Sequence, residues 1–160
     1  MDANTVDFIS SSPSQTLRVG ARIGELLRPG DLVCLHGDLG TGKTTLVQGM
    51  ARGWGSSRAA RSPTFLLVHE YKRADGMVLF HLDAFRLRSG EFPGLEVEDA
   101  LGNGAIVVEW PDRLEGILPD DKLQVEMWWI DETRRNVRIE SKGARSEEIL
   151  RAFRKLAFGS

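Results

Sequence analysis

Several features of secreted, membrane and metal-cluster proteins are missing from this chain of 160 residues. Its single cysteine, Cys34, excludes an internal disulfide framework and a cysteine-rich metal site. No apolar run approaches the roughly 18 residues that a membrane-spanning helix needs. The first residues also lack the cationic and apolar regions of a signal peptide. We therefore expect a cytoplasmic protein that does not enter a membrane.

The charge balance excludes a globally basic nucleic-acid binder, because the formal net charge is −2. The charges are nevertheless grouped along the chain. Acidic residues predominate between positions 91 and 121, and basic residues between 52 and 73 and between 134 and 155. These blocks are either ordinary solvated surface or the faces of a dipolar molecule that meets a partner.

Glycine is the residue type in clear excess. Seventeen glycines in 160 residues amount to about 11%, against about 7% in an average protein. They follow neither a collagen repeat nor a flexible linker, so we expect them at particular backbone positions. The remaining composition, 41% hydrophobic and 28% charged, is typical of a globular domain.

Apolar periodicity predicts one α/β domain over residues 1–160, with a mixed parallel and antiparallel central sheet flanked by helices. Ser12 and Pro13 are predicted to start the first helix, and Gly53 and Gly102 to end two later ones. Predicted helices cover residues 13–28, 44–52, 96–101 and 146–158. Predicted strands, including two hairpins, cover residues 6–10, 32–36, 65–71, 77–82, 105–109, 123–130 and 136–140.

One glycine-rich stretch indicates a phosphate site. Residues 37–44 match the pattern G-x-x-x-x-G-K-[ST] in full, between a predicted strand and a predicted helix. Glycines allow backbone N–H groups to approach a phosphate closely, and the following helix directs its N-terminus at the anion. In such loops the lysine, here Lys43, bridges phosphate oxygens, while Thr44 binds Mg²⁺ and Thr45 reaches the α-phosphate. The expected nucleotide-binding residues of this loop are Gly37, Asp38, Leu39, Gly40, Thr41, Gly42, Lys43, Thr44 and Thr45.

Phosphoryl transfer also needs a carboxylate beside the metal ion, usually at the end of a buried strand. Asp83 and Glu109 both follow predicted apolar strands, and the sequence alone does not rank them. Thr64 lies about 20 residues after the glycine loop. It is either part of a switch segment that senses the γ-phosphate and Mg²⁺ or part of a turn that enters a strand.

Five sequence blocks in order resemble the TsaE family, also called YjeE, whose members are small bacterial P-loop ATPases required for threonylcarbamoyladenosine (t6A) modification of tRNA. The blocks are G-D-L-G-T-G-K-T-T-L (37–46), S-P-T-F (62–65), H-L-D-A-F-R-L (81–87), V-E-W-P-D-R-L (108–114) and G-I-L-P (116–119). The resemblance covers nearly the whole chain. It implies a single-domain P-loop NTPase fold that binds ATP and Mg²⁺.

The resemblance also implies roles for particular residues. Thr44 and Glu109 would bind Mg²⁺, and Asp83 would be a nearby acid for a metal-bound or attacking water. Thr64 would belong to a switch-like loop, and Trp110 would flank the site. Further nucleotide contacts implied by the resemblance are Ser12, Thr16 and Arg135. One departure from the family pattern is Phe85, at a position where tyrosine is usual, so the tyrosine hydroxyl and any hydrogen bond it makes are lost. We interpret Phe85 as a core residue.

The family works with TsaB and TsaD, and TsaD transfers the threonylcarbamoyl group. The resemblance therefore implies a protein that binds the TsaB–TsaD assembly and hydrolyses ATP slowly to reset it. It would meet tRNA only indirectly, through that complex.

Two other functions are compatible with a phosphate loop. A small-molecule kinase needs an acceptor-binding acid and usually an arginine-rich lid. Between residues 74 and 112, however, the bases are only Arg86 and Arg88. A nucleotide-dependent docking subunit would bind ATP and turn over little.

Histidines and tryptophans give weaker signals. His36, His69 and His81 lack metal-ligand spacing, and we interpret them as structural, with His81 close to the candidate site. Trp128 and Trp129 face opposite sides of a predicted strand, so one is expected in the core and the other is a candidate contact surface.

Overall fold

Strands and helices alternate along most of the chain. The structure is a computed structural model that describes residues 3–38, 40–56, 60–62, 65–84, 96–114 and 116–159. Its strands are β1 (Thr5–Ser10), β2 (Leu32–His36), β3 (Ala60–Ser62), β4 (Phe65–Lys72), β5 (Val78–Asp83), β6 (Gly104–Glu109), β7 (Lys122–Trp129) and β8 (Arg135–Lys142). Its helices are α1 (Pro13–Leu26), α2 (Lys43–Trp54), α3 (Val97–Asn103) and α4 (Ala144–Phe158), with a 3₁₀ turn at Pro111–Leu114.

The described strands form one mixed sheet in the order β1-β8-β7-β2-β6-β5-β4-β3. Strand β2 is parallel to β6 and β7, and β6 is parallel to β5. The hairpins β4–β5 and β7–β8 are antiparallel, as are the pairings of β1 and β3 at the edges. The predicted mixed sheet is confirmed. The carboxyl ends of the neighbouring strands β2, β6 and β5 lie together on one side of the sheet, and ligands bind at the carboxyl ends of the strands in sheets of this kind.

Helices cover the two faces of the sheet unequally. Helices α1, α2 and α4 pack on one face, where Ile23, Leu46 and Phe153 are buried. Helix α3 and the 3₁₀ turn cover the other face through Ala100 and Leu114. Within the part of the chain that the structure describes, no helix has the length and apolar character needed to cross a membrane.

Most predicted elements are confirmed to within a few residues. Ser12 caps α1 as predicted, with its hydroxyl oxygen accepting the N–H of Gln15 at 3.2 Å. Strand β3 was not predicted, because three residues are too short for a periodic pattern. Gly102 does not end α3 as predicted, since the helix continues to Asn103 and Gly104 follows it.

Gly53 does not stop α2, contrary to the prediction. It lies inside the helix, which ends at Trp54 and is capped by Gly55, a residue with a left-handed φ of 108°. Gly53 is instead a packing residue, because a Cβ there would lie 2.0 Å from the carbonyl oxygen of Ala21 in α1. Three more glycines share this helix contact, with a Cβ likewise excluded by the backbone of the partner helix: Gly20, Gly24 and Gly49.

The prediction that one of the paired tryptophans lies in the core is wrong. Trp128 is half-buried and Trp129 is 43% exposed. Both lie at the end of β7, where a guanidinium group lies over each ring. The guanidinium of Arg138 is 5.2 Å from the Trp128 ring centroid, and that of Arg135 is 3.6 Å from the Trp129 ring centroid.

Candidate functional site

The glycine loop, residues 37–44, connects the carboxyl end of β2 to the first turn of α2. Gly42 precedes the helix with φ of 104°, a left-handed conformation that favours glycine. It provides no side-chain cap, and the first N–H groups of a helix have no partner within the helix. The hydroxyl of Thr41 donates to the carbonyl of Asp38 at 2.8 Å and braces the loop. This geometry suits an anion at the helix N-terminus.

Lys43 is the first residue of α2, and its side chain folds back into the loop. Its ammonium group donates to the carbonyl of Gly37 and lies 3.8 Å from Oε1 of Glu109. The same group lies 4.7 Å from the Trp110 ring centroid. Lys43 is only 5% exposed. A buried cation thus lies at the N-terminus of α2, next to a carboxylate.

Glu109 ends β6 and is buried, with 7% exposure. Its second oxygen, Oε2, lies 2.7 Å from Nε2 of His81 on the neighbouring strand β5. Burial opposes ionisation of Glu109, but the hydrogen bond from His81 and the charge of Lys43 outweigh it. The pKa of Glu109 therefore lies below the ordinary value of 4.5, and the group is a carboxylate at neutral pH.

Asp83 is the register partner of Glu109 where β5 and β6 pair in parallel. The two acids that the sequence left unranked therefore lie side by side at the carboxyl ends of β5 and β6. They differ in surroundings, since Asp83 is exposed while Glu109 is buried against Lys43. Glu109 is the acid closer to the loop lysine.

Trp110 follows Glu109 with φ of 59°, the one non-glycine residue of the described part of the chain in the left-handed region. Its N–H donates to the carbonyl of Leu35 on β2 at 3.3 Å, which ties this turn to the strand that leads into the loop. A bulky residue held in this region carries backbone strain of the kind that collects at functional sites.

A pocket of about 170 Å³ adjoins the loop on the side of α1 and the β7–β8 turn. Predicted contacts Ser12, Thr16 and Arg135 line it together with Gly42 and Thr45. The remaining lining residues are Ser10, Pro13, Gly40, Thr41 and Thr133. Residues distant in the sequence thus meet beside the phosphate loop, on a surface rich in hydroxyl groups.

Not every predicted site residue can be placed. Leu39 and Thr64 lie outside the described residues, as does Phe85, which was predicted to be a core residue. Thr44 is exposed on the first turn of α2.

The sequence predicted His81 close to the candidate site but with a structural role, whereas in the structure His81 contacts Glu109. The sequence analysis did not connect Trp129 with the loop. The Trp129 ring lies close to Gly40, since a Cβ added there would be 3.4 Å from Cζ2 of the ring. The position of His81, two residues before Asp83, was the available signal.

The donor set fits Mg²⁺ bound together with a nucleotide. Among the described residues, no three His, Cys, Asp or Glu side chains are grouped so as to hold an ion by themselves. Mg²⁺ at phosphate sites does not need such a group, because one or two carboxylates suffice when phosphate oxygens and water complete the shell. Glu109, Asp83 and the hydroxyl of Thr44 are the side chains here of suitable type.

The fold and loop define a class: an α/β protein whose mixed sheet carries a glycine loop between a central parallel strand and a helix. A sequence model of the family described as "Threonylcarbamoyl adenosine biosynthesis protein TsaE" matches residues 10–137. This match covers more than half of the chain. The chain belongs to the TsaE family.

Individual relatives agree with this assignment. A Bacillus subtilis protein named tRNA threonylcarbamoyladenosine biosynthesis protein TsaE is 36% identical over 140 residues, which cover 86% of this chain and 87% of the relative. A protein of the same name from Streptomyces coelicolor is 41% identical over 112 residues, covering 68% and 76%. The crystal structure of Bacillus subtilis YdiB superposes with a TM-score of 0.78 at 25% identity, covering 95% of both chains.

Proposed function

We propose that this chain is a Mg²⁺-dependent, slow ATPase that supports t6A modification of tRNA by binding and resetting a TsaB–TsaD complex. The observation that carries the proposal is the juxtaposition of Lys43 with Glu109, 3.8 Å apart at the mouth of the glycine loop. Membership of the TsaE family supplies the pathway, because the relatives are named for t6A biosynthesis.

The loop residues would hold the phosphates of ATP. Backbone N–H groups of the loop and of the first turn of α2 would surround the β-phosphate. The ammonium of Lys43 would exchange the carbonyl of Gly37 for phosphate oxygens, so binding costs little rearrangement of a side chain that is already in place. Thr45 would face the α-phosphate, and the pocket containing Ser12, Thr16 and Arg135 would receive the nucleoside.

The two acids at the carboxyl ends of β5 and β6 would bind the metal ion and orient the attacking water. Thr44 and Glu109 would bind Mg²⁺, with Asp83 beside them to orient a water. The ion would neutralise charge that develops on the transferred phosphoryl group. Glu109 is suited to this role because its lowered pKa keeps it ionised. Thr64 would complete the site from a switch-like segment, and Trp110 would flank it.

The proposed partners follow from the family rather than from a surface of this molecule. TsaB and TsaD would bind the chain in the cytoplasm, and tRNA would be reached only through them. A protein that resets an assembly should turn over slowly alone, since fast hydrolysis without the partner would waste ATP.

Two substitutions test the chemistry. Lys43→Ala should abolish productive ATP binding, because it removes the charge that meets the phosphates. Glu109→Ala should reduce hydrolysis by about 100-fold or more while ADP binding partly survives, because the carboxylate acts through the metal. Isothermal titration with ADP and steady-state ATPase assays measure both effects.

Matched variants control for loss of charge alone. Lys155→Ala, on the exposed surface of α4, should leave both measurements unchanged. Asp83→Ala tests the neighbouring acid. If Glu109→Ala hydrolyses ATP normally and Asp83→Ala does not, the metal role belongs to Asp83 instead.

A second experiment tests the dependence on partners. ATPase turnover is measured with the chain alone and with TsaB–TsaD added. We expect weak activity alone and a clear increase in the complex. Rapid, partner-independent turnover would contradict the resetting role, and binding without turnover in either case would favour a nucleotide-dependent docking subunit. Stoichiometric transfer of phosphate to a small molecule would favour a kinase.

A further inference from the structure

His81 is an unusual residue at its position in β5. The strand is otherwise apolar up to its last residue, with Val78, Leu79, Phe80 and Leu82 all buried. His81 is itself only 8% exposed, and its Nδ1 has no hydrogen-bond partner among the described residues. A buried nitrogen without a partner is destabilising, because it has lost its hydrogen bond to water and gained none in return. An apolar side chain would avoid that cost, so the histidine needs another explanation.

The contact between His81 and Glu109 does not explain the histidine through stability alone. Replacing a buried polar or charged pair by apolar residues of similar volume is often neutral or stabilising. The pair instead lies where the candidate chemistry is. Its hydrogen bond of 2.7 Å occupies Oε2 of Glu109, while Oε1 faces the ammonium of Lys43 at 3.8 Å.

Because Glu109 is ionised, its oxygen accepts and Nε2 of His81 donates. A second imidazole ring packs against the ring of His81. His69, the cross-strand partner of His81 on β4, meets it edge-on with ring centroids 5.7 Å apart. The imidazole is thus held between β4 and β6, with one ring nitrogen directed at the carboxylate.

We propose that His81 is a positioning residue, whose Nε2–H fixes the Glu109 carboxylate in the rotamer that presents Oε1 to the metal ion. This inference rests on the proposed function, since it assigns His81 a task only if Glu109 binds a metal there. Donors that orient a ligating carboxylate typically change metal affinity or activity by about 10–100-fold when removed.

Two substitutions separate positioning from packing. His81→Gln carries an amide nitrogen about as far from the backbone as Nε2, so it keeps the donor to Glu109. His81→Asn carries its amide nearer the position of Nδ1 and loses that donor. Both variants remain polar, and thermal unfolding shows whether each one folds like the parent.

The main readout is metal binding rather than turnover. Mn²⁺ serves as the probe, and its free concentration is followed by electron paramagnetic resonance in the protein–ADP complex. We expect His81→Asn to weaken Mn²⁺ binding, and to lower kcat, by about 10–100-fold. ADP affinity without metal should stay near that of the parent, and His81→Gln should restore most of the metal binding.

Three outcomes would overturn the inference. Parent-like Mn²⁺ affinity and kcat in a folded His81→Asn variant would show that Glu109 does not need the donor. Equal losses in His81→Gln and His81→Asn would assign the effect to the ring and its packing. If the parent chain itself binds no ADP and hydrolyses no ATP, the proposed function fails and the inference fails with it. In the first two cases the proposed function stands.

Discussion

Cys34 shows how burial sets the chemistry of a single side chain. It lies on β2, at the centre of the sheet, and is fully buried. Burial raises the pKa of its thiol from 9.0 to about 11. The thiolate is the reactive form of cysteine, so at pH 8 this side chain is both neutral and out of reach of a reagent.

We therefore predict that the folded chain does not react with a thiol reagent such as DTNB at pH 8. Reaction should begin only when denaturant unfolds the protein, because unfolding exposes the sulfur and returns its pKa to the ordinary value. A variant with Ser14→Cys, an exposed position in α1, provides the control and should react at once with one thiol. Rapid labelling of Cys34 in the native chain would show that β2 opens to solvent.

Single residues of the site differ in how far the sequence could predict them. Lys43 and its glycine loop were predicted because their geometry is local to one stretch of chain. The sequence also selected Glu109 and Asp83 as strand-end acids, but their side-by-side arrangement depends on the pairing of β5 with β6. The contact of His81 with Glu109 spans 28 positions, and no spacing rule reports a contact of that kind.

At the scale of elements, helices α1 and α2 pack against each other through glycine. A Cβ at Gly20 would lie 2.2 Å from the carbonyl oxygen of Leu46, and one at Gly49 would lie 2.2 Å from that of Leu17. Such distances are far below contact, so the two backbones touch where side chains would otherwise separate them. Because α2 begins at the glycine loop, this contact also holds the helix whose N-terminus faces the candidate phosphate site.

Gly53→Ala is therefore predicted to destabilise the protein. Alanine improves helix propensity by about 1 kcal/mol, but its Cβ would lie 2.0 Å from the backbone oxygen of Ala21. Forced separation of packed elements costs about 1–3 kcal/mol, and can cost more, so the clash should dominate. Urea unfolding measures the net change in the free energy of unfolding.

Gly102→Ala is the matched control, because nothing lies within 4 Å of a Cβ at this exposed position of α3. It should cause no loss of stability. A Gly53→Ala variant as stable as the control would mean that α1 and α2 move apart without penalty.

The elements themselves were largely predictable, and two of the exceptions have a common cause. Strands β2 and β6 have continuous apolar runs, and α1 has a proper cap, so local signals were sufficient. Gly53 was interpreted as a stop because glycine commonly ends helices, whereas its role here is contact with another helix. The prediction that one of the rings of Trp128 and Trp129 lies in the core failed for the same reason, since the extent to which neighbouring elements cover a ring is a tertiary property.

At the scale of the molecule, the two ends of the parallel strands have different roles. The carboxyl ends form the candidate site. At the amino ends, charged side chains anchor α4. Arg145 binds the carboxylate of Asp31, just before β2, through two hydrogen bonds of 2.9 Å, and donates to the carbonyl of Leu26 at the end of α1. Asp121 accepts the N–H groups of Arg145 and Ser146 and so caps α4 from a distant part of the chain.

This division predicts that Arg145→Met lowers stability without affecting nucleotide binding. Asp31 is 5% exposed, and the substitution would leave its carboxylate with one described partner, the N–H of Arg28 at 2.7 Å. A buried group that loses its partner costs about 1–3 kcal/mol, and more if it is charged. Urea unfolding should show this loss, while ADP affinity measured by titration calorimetry should match that of the parent.

Arg151→Met, at an exposed arginine of the same helix, is the control and should change neither quantity. A fall in ADP affinity for Arg145→Met under conditions where the variant is fully folded would show that the two ends of β2 are coupled.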